Sequence, residues 1–150
     1  SPNLKDISYM FSESENLLSI DISNLDTSKV ENMQSLFHGC LLLENINSKN
    51  IDTSQVTDMS YMFYNCKKLS NIDIKHFKTI NVKNFEGMFQ NMESLLSLDL
   101  TSSNFVTRSN SSISKIRLLN IASIITIPAL NIKKISPHFK KLRTTVLAYL

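Results

Sequence analysis

Glycine is nearly missing from this chain: two in 150 residues, with three prolines, two cysteines and no tryptophan. So few glycines leave no Gly-rich loop of the kind that cradles phosphates, which argues against nucleotide chemistry of that type. Two cysteines are too few for a disulfide-built scaffold. No apolar run approaches the ~20 residues a membrane-spanning helix needs. No basic-then-apolar signal segment opens the chain, which starts at Ser1 and so reads as a processed form or a fragment. Acids are also missing from one end. All 13 lie between Asp6 and Asp99, whereas eight of the 16 Lys and Arg fall after residue 105. The first 105 residues therefore carry −5 and the remainder +8. A sign change this sharp marks a segment boundary.

What the chain has instead is a repeat. The pairs Met10-Phe11, Leu36-Phe37, Met62-Phe63 and Met88-Phe89 recur every 26 residues without insertion. Four units follow: 4–29, 30–55, 56–81 and 82–107. In the first half of each unit, the positions of Val30, Met33, Leu36 and Phe37 are apolar in all four units. Their offsets of 0, 3, 6 and 7 predict one face of a two-turn helix. Asp26-Thr27-Ser28 and Asp52-Thr53-Ser54 precede two of these stretches as N-caps, and Ser28 with Glu31 has capping-box spacing. The second half carries Ile20-Asp21-Ile22 and its equivalents, which alternate as a short strand does. Such short elements cannot each bury a face alone, but in register they build a continuous core. The expected fold is an α/β repeat: a leucine-rich-repeat-like solenoid with one short strand and one short helix per 26-residue coil. Residues 1–105 form the four-coil body and 106–150 a diverged basic segment.

The segments TSKVENMQSLFHGCLLLENI and TSQVTDMSYMFYNCKKLSNIDI resemble the BspA-type leucine-rich repeats of bacterial and protist surface proteins. The likeness covers about residues 4–105. Ser14 and Met92 depart from its cysteine, Asn47 from its aspartate and Ser48 from a core aliphatic. Also missing is the ordinary leucine-rich-repeat asparagine, whose place Leu25, Ile51 and Phe77 occupy. The resemblance implies a cell-surface or secreted, non-catalytic binding or adhesion module that recognises a protein or surface glycan. An intracellular protein–protein interaction scaffold of the same architecture is the alternative. No cofactor or nucleic-acid partner is expected, and the chain reads as a monomeric fragment of a longer repeat array.

The candidate partner-binding residues are the outward strand positions: Ser19, Asp21, Ser23; Asn45, Asn47, Lys49; Asn71, Asp73, Lys75; Ser97, Asp99, Thr101. Stacking would make them a polar patch three columns wide, and the strand face is a common binding face in solenoids. The same residues also fit a merely solvated face. Calcium would want more oxygen ligands than the Asp21, Asp73 and Asp99 column offers, since Asn47 interrupts it. Cys40 and Cys66 sit at one place in adjacent units and read as two buried thiols. Coil spacing leaves a bridge open, and a zinc site with His38 would lack ligands. His38, His76 and His138 occupy polar-tolerant places and read as solvated. No Ser/His/Asp or Cys/His arrangement can be assembled.

After Leu100 the 26-residue frame fails. Ile113, Ile116, Leu118, Ile121 and Ile127, Leu130, Ile132, Ile135 keep the strand-half spacing, and Ser136-Pro137 looks like the start of a helix. A cap that closes the stack is one reading. A basic arm for a membrane surface or nucleic acid is another, and frame-shifted sequence a third.

Overall fold

A computed structural model describes residues 3–96. Successive 26-residue units lie one on the next in parallel register. Strand β1 (Ser19–Asp21) pairs with β2 (Asn45–Asn47), Ile20 opposite Ile46. On another side of the coil a ladder of single parallel bridges runs Asp6–Asn32–Asp58–Asn84. The third-coil equivalents of the strand, Asn71, Ile72 and Asp73, do not extend the two-stranded sheet. The expected strand is thus present in two of the described coils.

The expected helices are not there. Among the described residues the first half of each coil is a chain of tight turns, and the α/β solenoid with a helix per coil is overturned. An α-helix spends every interior N–H on the carbonyl four residues back. Here alternate N–H groups go to different places. Met10, Ser12 and Ser14 donate to the carbonyls of Ile7, Tyr9 and Phe11, three residues back. Tyr9, Phe11 and Glu13 donate to Gln34, Leu36 and His38 of the next coil. The pattern repeats one coil on: Leu36, His38 and Cys40 bond locally, while Ser35, Phe37 and Gly39 reach Ser60, Met62 and Tyr64. Two residues per coil take positive φ to make this possible. Tyr9, Ser35, Tyr61 and Gly87 form one such column; Glu13, Gly39, Asn65 and Asn91 form the other. A left-handed residue interrupts a right-handed helix, and a two-turn helix is marginal in any case. Lateral bonding wins because it ties each coil to its neighbour.

The expected capping box is absent for the same reason. Ser28 donates both its N–H and its hydroxyl to Asp26, at 3.1 and 2.7 Å. The Glu31 carboxylate instead meets Lys5 of the preceding coil at 2.8 Å.

Aspartate and asparagine hold three corners of the coil. At each, the side-chain oxygen accepts the N–H two residues on, as Asp6 does from Ser8, Asp21 from Ser23 and Asp52 from Ser54. Stacking such corners would set carboxylate upon carboxylate. At two of the corners alternation avoids it: Asn32 donates to Asp6 at 3.2 Å, Asn84 to Asp58 at 3.4 Å and Asn47 to Asp21 at 2.9 Å. Asn47, an interruption in the sequence pattern, is therefore the donor that lets its column stack. Hydrogen bonds from Ser8, Ser23, Ser28 and Ser54 hold Asp6, Asp21, Asp26 and Asp52 below the usual carboxylate range. Carboxyls depressed in the folded state favour folding above their unfolded value of about 3.9, and that contribution fades as pH falls through the folded values. The melting temperature is accordingly expected to hold from pH 7 to about 5 and to drop below about 4; a flat profile down to pH 3 would remove the corner carboxylates from the account of stability.

Inside, Phe37, Phe63 and Phe89 are buried, with Phe11 half-buried at the end of the column. Neighbouring rings stack nearly parallel with centroids 5.5, 5.8 and 5.9 Å apart. Of the four Met/Leu-Phe pairs, the first is the exception: Met10 is 44% exposed because its coil lies at the end of the described stack. Cys40 and Cys66 are buried and unbridged. Each thiol donates to a carbonyl of the coil before it, Phe11 and Phe37, at 3.0 and 3.1 Å. Burial pushes the Cys40 thiol up to about 11 and raises Cys66 as well. Only the thiolate is a nucleophile. Ellman's reagent should therefore find two thiols in denatured, unreduced protein and react with neither at an appreciable rate in the folded state. Rapid native labelling would contradict this packing.

Candidate functional site

The nominated strand face is present over its described part. Ser19, Asp21, Asn45, Asn47, Lys49, Asn71, Asp73 and Lys75 are exposed and Ser23 is half-exposed. Its groups are tied to one another. Asp21 accepts from the Ser23 N–H, the Ser23 hydroxyl and Asn47, while Asn47 and Asp73 accept the N–H groups of Lys49 and Lys75 at 3.4 and 3.2 Å. Ser97, Asp99 and Thr101 lie outside the described residues, as do His138 and the whole 106–150 segment. Among the described residues no group of His, Cys, Asp and Glu is arranged to hold a metal ion, and no helix is long and apolar enough to cross a membrane.

A second surface, not nominated by the sequence, lies on the turn-built half of the coils. It is an open groove of about 500 Å³ spanning four coils. Tyr9, Tyr61 and Tyr64 give it aromatic walls together with His38, and Gln34, Ser35 and Gln90 complete the lining. The turns place these side chains. Tyr9 and Tyr61 stand at positive φ, 58° and 55°. The residues that follow them in the column are small: buried Ser35 and Gly87. A Cβ on Gly87 would fall 2.5 Å from the Tyr61 ring, so the ring lies where only hydrogen fits beneath it. Tyr61 is pinned further by its hydroxyl, which donates to Glu86 at 2.6 Å.

The other wall is a two-ring step. His38 stacks on Tyr64 with centroids 4.9 Å apart and planes 6° from parallel, and Tyr61 meets Tyr64 edge-on at 5.7 Å and 72°. The Glu13 carboxylate holds His38 Nδ1 at 2.7 Å. A carboxylate only accepts, so Nδ1 carries the hydrogen. Glu13 repeats the device of Tyr61: it stands at positive φ with its carboxyl over Gly39, where a Cβ would come within 2.6 Å.

His38 is thus half-buried and built into a wall, not simply solvated. His76 departs from that expectation too. It packs edge-on against Phe77 at 5.1 Å, and its Nε2 is shielded without a partner among the described residues.

The family described as "Mycoplasma protein of unknown function, DUF285" matches residues 4–122, most of the chain. The chain belongs to the DUF285 family. The match takes in the whole repeat and runs on past residue 105, where the charge changes sign. No curated protein and no solved structure matches this DUF285 chain.

Proposed function

We propose that this chain is a non-catalytic binding or adhesion module, displayed on a cell surface or secreted, that takes a protein or surface-glycan partner on the face carrying β1 and β2. The observation that carries this reading is the row of exposed polar residues Ser19 and Asp21, Asn45 and Asn47, and Asn71 and Asp73, which recur at one-coil intervals, the first two pairs on strands in parallel register. Side chains already oriented by their own hydrogen bonds lose little further freedom when a partner docks, which favours recognition. The resemblance to BspA-type repeats supports the surface setting and the adhesive role.

The test is binding of the purified chain to arrays of extracellular proteins and glycans, followed by titration of any hit. A combined Asn45→Ala, Lys49→Glu, Asn71→Ala variant leaves the corner aspartates and the core intact. Saturable binding that weakens at least about tenfold in this variant, roughly 1.4 kcal/mol, is the expected result. Saturable binding that the variant leaves unchanged would move the partner off this face.

A further inference from the structure

We propose that the groove walled by Tyr9, His38, Tyr61 and Tyr64 is a saccharide-binding site. It does not depend on the strand face, from which it differs in both chemistry and residues.

Tyr61 and the His38–Tyr64 step meet at a steep angle, so the groove offers two differently oriented aromatic surfaces in one corner. The face of an aromatic ring is its negative side. The C–H groups of a pyranose face are weakly positive and lie flat, so a sugar ring packs on such a surface without losing its outward hydroxyls to an apolar wall.

Gln34 and Gln90 line the groove, and neither side chain makes a hydrogen bond within the described structure. A carboxamide carries acceptor and donor together, as neighbouring sugar hydroxyls do.

Charge points the same way. Among the described residues no Lys or Arg lines the groove, and Glu13 and Glu86 sit behind His38 and Tyr61. Phosphate and nucleic acid are disfavoured by that balance. The groove is also open and mixed in polarity, a poor burial site for a purely apolar ligand.

The rings are also held in place. Positive φ recurs at this position in every described coil as part of the turn pattern. Tyr9 and Tyr61 hold that conformation where other coils carry Ser35 and Gly87, and Glu86 fixes the Tyr61 ring. Rings positioned in advance need little ordering on binding.

The experiment uses the full chain. An array of neutral glycans gives the hits, and cellohexaose, laminarihexaose, chitohexaose and mannohexaose are titrated in parallel, read by calorimetry and by tyrosine fluorescence, which no tryptophan masks. At least one saccharide is expected to bind with a Kd between about 10 µM and 1 mM. Tyr64→Ala, and separately the Gln34→Ala, Gln90→Ala pair, should weaken it at least about tenfold. Tyr61→Phe should keep the ring and most of the affinity, and the strand-face variant should bind as the parent does. Melting curves matching the parent's show that the variants fold. Should Tyr64→Ala fail that check, the amide pair carries the test alone. No saccharide binding on the array or in titration overturns the proposal. So does binding that survives the Tyr64 and glutamine changes, or a Lys/Arg-rich peptide that binds in place of every sugar and is lost with Tyr64. Loss of strand-face binding with the groove intact, or the reverse, separates this proposal from the reading above.

Discussion

Phe63→Ala is expected to lower the unfolding free energy by about 3–5 kcal/mol, the range for truncating a buried aromatic. Phe63 sits in the middle of a ring column, parallel to Phe37 on one side and Phe89 on the other, and is 2% exposed. Removing it leaves a cavity bounded by two rings fixed by their own coils. Those coils cannot close in, because each backbone is held laterally by the bonds from Phe37 to Met62 and from Phe63 to Met88. Each ring contact adds about 0.5–1.5 kcal/mol beyond area. Urea denaturation followed by circular dichroism reads the effect, with Phe11→Ala as an internal comparison. Phe11 is half-buried and stacks only on Phe37 among the described rings, so its loss should cost distinctly less. Equal costs at the two sites, or less than about 1 kcal/mol at Phe63, would contradict the column.

Gly87→Ala is expected to destabilise by about 1–2 kcal/mol, the cost of a left-handed conformation at a residue with a Cβ. Gly87 holds φ of 58°. The substitution also strikes the Tyr61 ring, 2.5 Å from the new carbon. That ring is at the surface and can swing, so relief comes by breaking the hydroxyl bond to Glu86 and opening the groove. A double-mutant cycle separates the two effects. In a Tyr61→Ala background the steric part vanishes and the φ cost alone remains. The single Gly87→Ala variant should therefore lose more stability than Gly87→Ala does on top of Tyr61→Ala. Identical costs in both backgrounds would mean that the ring does not rest on Gly87.

The register of the fold is legible in the sequence because stacking forces like upon like. Phe37, Phe63 and Phe89 touch, so they recur; Asp21 and Asn47 bond, so they recur with a change of donor. The helix was a misreading with a physical origin. Apolar offsets of 0, 3, 6 and 7 fit a helical face, but they fit a run of three-residue turns as well, since both return the chain to one side about every three residues. What separates them is where alternate N–H groups point, and hydrophobic spacing is silent on that. The sequence did hold a signal: Ser35, Gly39, Asn65, Gly87 and Asn91 sit in two columns four residues apart, and Gly and Asn tolerate positive φ. Tyr9, Glu13 and Tyr61 in those same columns concealed it. The groove was missed for a related reason. His38 and Tyr64 belong to one column, Tyr61 to another and Gln34 to a third, and only the turn geometry brings the three together.

The lateral bonds have a mechanical consequence. Each coil is held to the next by parallel N–H···O=C bonds roughly along the stacking direction, together with the side-chain rungs Asn32–Asp6, Asn47–Asp21 and Asn84–Asp58. A pull on one end loads the outermost coil first, and its bonds come apart in sequence like a zip. The contour length set free per event is that of one unit of 26 residues, about 90 Å at ~3.5 Å per residue. Under tension such a stack yields coil by coil, lengthening by one unit at a time.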